Sequence, residues 1–114
     1  MRMTFTSRII IEGSIMTEVR PSTHPGIILR EEFAEPLGLT QAKMSVDLGV
    51  GIKTLSELYN EKRGISATMA LKLARYFGTT PQFWMTLQDN YDLYHAYLKE
   101  QQSIDLVPVF EHVS

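Results

Sequence analysis

Apolar residues recur through the middle of the chain at helical spacing and break off at glycine and proline. Between Gln41 and Asn60 (QAKMSVDLGVGIKTLSELYN) they fall at Met44, Leu48, Val50, Leu55 and Leu58. Met44 and Leu48 lie four apart on one helical face, and Leu55 and Leu58 three apart on the next. Gly49 follows Leu48 where a left-handed helix-ending residue is wanted, a conformation glycine adopts cheaply. Ser45 is small and sits where the two helices would come closest. The pattern predicts two short helices joined by a tight turn, the helix-turn-helix whose second helix lies in the DNA major groove. The competing reading is an ordinary helical hairpin with no nucleic-acid role.

The same periodicity predicts helices on both sides. His24-Pro25-Gly26 starts one, since proline suits a first helical position where its missing N–H costs nothing. Ile28, Leu29 and Phe33 form its apolar stripe, and Pro36 and Gly38 stop it. Ser66 caps a helix with a stripe at Met69, Ala70, Leu73, Ala74 and Phe77, ended by Gly78. Thr80-Pro81 caps another, carrying Phe83, Trp84 and Leu87, which fall at core spacing. Tyr91, Tyr94, Tyr97 and Leu98 continue the stripe to about Gln102. From Ser103 the pattern predicts extended chain around Pro108, because proline disfavours helix in the residue before it. That tail suits either a buried end or a strand added to a partner's sheet. Residues 1–22 show no period and read as a poorly ordered extension, with Met16 an alternative translation start and a short strand over Arg8–Ile11 the second reading. The expected organisation is thus an extension over 1–22, a domain over 23–102 and a tail over 103–114.

Composition narrows this picture. A chain of 114 residues holds one small core. It contains no cysteine, so neither a disulfide framework nor a thiolate metal site is available, which fits a reducing cytoplasm. No apolar run approaches the roughly 18–20 residues that span a bilayer, so no membrane role is expected. The three histidines (His24, His95, His112) are scattered and no carboxylate pair sits in an apolar setting, which argues against an enzyme. Asp92 and His95 fall three apart on a helix, but two ligands alone make a weak metal site. With no cysteine, aspartate or second histidine nearby in sequence, His24 reads as a capping or surface residue. No cofactor and no metal are expected.

The net charge of −2 is unlike that of a DNA binder, but its distribution is uneven. From Gln41 to Arg75 six basic residues face three acids; from Asp89 to Ser114 five acids face Lys99 alone. The middle of the chain can approach phosphate, and the end suits a basic partner. Thr40 is a good N-cap, and Gln41 just inside the helix can aim its amide and N–H at a phosphate. On the second helix Lys53, Ser56, Glu57 and Asn60 share one polar face, with Thr54 beside it. Ile52 can meet a thymine methyl. Lys62 and Arg63 follow at the exit, where a duplex backbone would pass and where contacts supply affinity rather than sequence choice.

Two stretches carry a family resemblance. HPGIILREEFAEPLGLT and ISATMALKLARYFGTTPQFWMTLQDNYDL resemble the HigA/VapI family of antitoxins, Cro/repressor-like helix-turn-helix proteins of bacterial type II toxin–antitoxin modules. The likeness runs from about Pro25 to Tyr94, and RYFGTTPQFWMTLQ separates this family from generic phage-repressor domains. The resemblance implies an all-α, five-helix, lambda-repressor-like domain. It implies a homodimer on a palindromic double-stranded operator in its own promoter, and a HigB-type toxin partner, a small basic RNase that cuts translated mRNA. Carried over by position, groove contacts fall to Ile52, Lys53, Thr54 and Ser56, while Gln41, Lys62 and Arg63 hold the DNA backbone.

The chain departs from the family pattern in three places. Gly51-Ile52-Lys53-Thr54 stands where arginine or asparagine is common. Glu61 replaces the usual glycine after Asn60, at the expected loss of a left-handed cap and with an acid near phosphate. Ser45 replaces the usual alanine. The expected function is an antitoxin and autorepressor. The alternatives are a free-standing repressor without a toxin, and a dimeric interaction module that has lost DNA binding, which Glu57 and Glu61 near the DNA face would suit.

Overall fold

A computed structural model of the chain describes residues 22–111. The stretch 1–21, with the expected extension and the alternative strand over Arg8–Ile11, lies outside the described residues. Five helices and no strand make up the described part, an all-α arrangement as the sequence pattern predicts. Helix α1 starts as an α-helix over Pro25–Ile28 and widens to π-type geometry over Leu29–Ala34. Then come α2 (Gln41–Leu48), α3 (Ile52–Tyr59), α4 (Ala67–Phe77) and α5 (Pro81–Asp105). No helix among the described residues is long and apolar enough to cross a membrane.

Side-chain oxygens close three of the helix starts. Thr40, Ser66 and Thr80 each accept the N–H three residues on, at 3.0–3.1 Å, satisfying donors that have no helical partner. His24 does the same for α1 through Nδ1, which accepts from Gly26 N–H at 2.8 Å. His24 is therefore a cap, and it is buried rather than on the surface. Its ring sits 4.7 Å from that of Tyr91, which ties the start of α1 to α5.

Burial pushes the His24 imidazole below its ordinary value of 6.5, and the nearby Glu61 and Asp92 offset this only in part. The folded chain therefore favours the neutral ring. As pH falls below about 6.5 the unfolded chain takes up the proton first, so the contribution of His24 is full above that value and is lost toward the lower folded-state value. Thermal unfolding should show a lower Tm at pH 5.5 than at 7.5, with a smaller difference in His24→Asn, where the cap remains but nothing titrates. Equal pH dependence in both proteins would exclude His24 as the source.

The core gathers Leu29, Met44, Leu48, Leu55, Leu58, Leu73 and Trp84, with Ala34, Ala70 and Ala74 buried among them. Trp84 is fully buried, and its indole N–H donates to Thr79 Oγ1 at 2.8 Å. Phe33, Phe77 and Phe83 pack around it with ring centres 5.0–6.4 Å away. These aromatics are core, not a base-stacking platform. Gln88, buried on α5, accepts from Ile65 N–H at 2.6 Å and donates to Asp92 at 2.9 Å. It holds the α3–α4 loop against α5, a role its sequence position does not announce.

Two expectations need correction. Ser103 does not begin extended chain: α5 runs to Asp105, with a break in helical geometry only at Glu100. The chain is non-helical from Leu106, and Leu106–Glu111 is exposed. Pro108 forbids helix only at and just before itself, so the capped end of α5 falls before it.

Glu61 does not cost the left-handed cap either, because it adopts φ 59° itself. Lys62 N–H reaches Glu57 O at 2.8 Å and Glu61 N–H reaches Leu58 O at 3.1 Å, the paired bonds of a Schellman end. The motif is kept at the expense of strain, since a left-handed L-residue costs roughly 1–2 kcal/mol. Glu61→Gly should therefore stabilise the domain by about 1 kcal/mol and raise Tm by roughly 4–8 °C. A calorimetric scan showing no rise would mean the strain is relieved elsewhere.

Candidate nucleic-acid interface

Helices α2 and α3 meet at a turn held from three directions. Gly49 takes φ 69°, ψ 39° at the end of α2, and its N–H bonds back to Ser45 O. Ser45 Oγ donates to Val50 O at 2.6 Å, so the serine that replaces an alanine fastens the turn. Lys72 Nζ of α4 reaches Gly49 O at 3.4 Å. Nearby, Asp47 accepts from the Tyr76 hydroxyl at 2.5 Å and pairs with Lys43 at 3.0 Å. The Tyr76 bond and then the lysine hold its carboxyl below the usual range. Met44, Leu48, Leu55 and Leu58 are buried as their spacing requires. The first turn of α3 is thereby presented outward.

On α3, Ile52 is half exposed (51%) and the Lys53 side chain almost wholly so (86%). Thr54 and Ser56 are half-buried on its flank. Gly51 offers α3 no side-chain cap, which leaves the first N–H groups of the helix open. Gln41 stands apart from this set, half-buried at the first position of α2. Lys62 and Arg63 are exposed just past the end of α3.

Two details lay beyond sequence reading. The exposed Asn60 is not a free amide: its side chain donates to Ser56 O at 2.8 Å and closes the helix. Glu57 is the hub of the charged face. Its Oε1 accepts from Arg63 Nε at 2.9 Å and Nη2 at 2.6 Å, while Lys53 Nζ lies 4.0 Å from Oε2. The Arg63 bonds, then Lys53 and Lys62, hold the Glu57 carboxyl below the usual range. The spacing of Lys53 and Glu57 was visible as an i,i+4 pair; the return of Arg63 across the helix end depends on the turn at Glu61.

Two helices joined by a left-handed glycine turn, the second showing an outward polar face, define a helix-turn-helix domain, and residues 29–84 match the helix-turn-helix family model. The chain is 42% identical over 87 residues to virulence-associated protein I of Dichelobacter nodosus, covering 76% of this chain and 80% of that protein. It is 36% identical to antitoxin HigA-1 of Vibrio cholerae, over 75% of this chain and 81% of that one. Its fold superposes on Pseudomonas aeruginosa antitoxin HigA, solved with the higBA promoter, at a TM-score of 0.74 and 42% identity, covering 79% of this chain and 97% of that chain. The chain belongs to the HigA/VapI family of helix-turn-helix antitoxins, whose members are DNA-binding regulators rather than enzymes.

Proposed function

We propose that the chain is the antitoxin and autorepressor of a type II toxin–antitoxin module. As a homodimer in the cytoplasm it binds a palindromic operator in its own promoter, and it neutralises a HigB-type, mRNA-cleaving toxin. The observation that carries this reading is the outward face of α3 on a frame that superposes on HigA with its promoter. Ile52, Lys53, Thr54 and Ser56 enter the major groove, where Ile52 meets a thymine methyl and the hydroxyls meet base edges. Gln41, in the first turn of α2, and Lys62 and Arg63 hold phosphates on either side.

The toxin docks elsewhere. The distal part of α5 and the following segment carry Asp92, Glu100, Asp105 and Glu111 against Lys99, with Leu98, Leu106, Val107 and Val109 exposed beside them. An acidic surface with apolar patches suits a small basic protein. Co-expression with the adjoining small reading frame tests this half of the function. The neighbour should arrest growth alone, be harmless with this chain and co-purify with it. A harmless neighbour that does not co-purify would leave a repressor without a toxin.

A further inference from the structure

The DNA face of this domain contains its own phosphate substitute. Glu57 projects from α3 among the residues that enter the groove, yet it is anionic, and DNA repels anions. Its Oε1 accepts both Arg63 Nε and Nη2, while Oε2 has Lys53 Nζ at the outer limit of an ion pair. Glu57 also receives Lys62 N–H on its backbone carbonyl. One residue thus anchors the loop that carries both exit cations and occupies the guanidinium of one of them. Bonds of a carboxylate to Arg Nε and Nη imitate the contacts arginine makes to a phosphate. While they last, Arg63 is spoken for.

We infer that Glu57 is a specificity-determining residue: it withholds Arg63 from arbitrary phosphates and releases it only where a base amino group in the groove takes the arginine's place. A carboxylate stripped of its partner beside DNA is costly unless it finds another donor. The cytosine N4 amino group is the major-groove donor that aspartate and glutamate accept from. At the operator α3 sits deep enough for Glu57 to exchange the guanidinium for such an amino group, and Arg63 then binds phosphate. Where no cytosine amino group comes within reach, Arg63 stays with Glu57, and the duplex gains one cation fewer.

This inference rests on the operator-binding reading, and Glu57→Gln separates the two. Glutamine keeps the shape, and circular dichroism with a melting curve checks that the fold is unchanged. Gel shifts at several salt concentrations should show the variant binding non-operator DNA about eightfold tighter at 0.1 M salt, with a log–log salt slope steeper by about 0.9, one added phosphate contact. Operator affinity should move less, so the operator-to-random ratio falls by several-fold. In an Arg63→Gln background the gain on random DNA should vanish. A gain of equal size there would show that Glu57 acts by bulk repulsion and overturn the exchange, as would a Glu57→Gln protein whose ratio is unchanged. Wild-type protein that does not prefer its own promoter would instead overturn the reading beneath it.

Discussion

Gly26→Ala is expected to cost about 3 kcal/mol and to lower Tm by the order of 15 °C. A methyl group there would stand 1.9 Å from the carbonyl oxygen of Leu58 and 2.7 Å from its carbon. That carbonyl is no flexible neighbour: it accepts Glu61 N–H in the Schellman end of α3. The start of α1 therefore crosses the end of the recognition helix at backbone contact. Relief requires the two helices to part, which opens the core at Leu29 and Leu58, both fully buried. Denaturant titration measures the loss, and a Gly26→Ala domain as stable as wild type would place this crossing elsewhere.

The second large effect falls on DNA. Lys53→Glu exchanges a positive for a negative charge on the exposed first turn of α3, a change of two in the phosphate balance. The salt slope should fall by roughly 1.8 and operator affinity by about 60-fold at 0.1 M salt. Stability should hardly change, since the side chain is 86% exposed and the new neighbour of Glu57 costs only a few tenths of a kcal/mol. Fluorescence anisotropy with the promoter fragment, run beside a melting curve, checks both halves. Unchanged affinity would remove Lys53 from the interface.

These expectations draw unequally on sequence and structure. The pairs Met44/Leu48 and Leu55/Leu58 announced two buried stripes because helical periodicity is a local property, and Gly49 announced the turn because a left-handed cap favours glycine. The caps at Thr40, Ser66 and Thr80 were legible for the same reason. What sequence did not carry depends on contacts between distant segments. Gln88 looks like any surface glutamine until Ile65, 23 residues earlier, is brought to its oxygen. The burial of His24 needs Tyr91 of α5. Arg63 reads as a free cation at the exit of α3 until the left-handed Glu61 turns the chain back and returns it to Glu57. The family pattern led to the expectation that Glu61 would lose the turn; the Schellman hydrogen bonds and the packing behind them instead hold an ordinary side chain in a glycine conformation.

The central claim is that the outward face of α3 reads an operator in the protein's own promoter. Footprinting the full-length protein on the DNA upstream of its reading frame tests it most directly. Two symmetric protected half-sites should be found, centred about 10 base pairs apart, one helical turn, as a dimer with two major-groove helices requires. They should appear at protein concentrations that leave random DNA of the same composition unprotected. Protection no stronger on the promoter than on that random DNA would contradict the account.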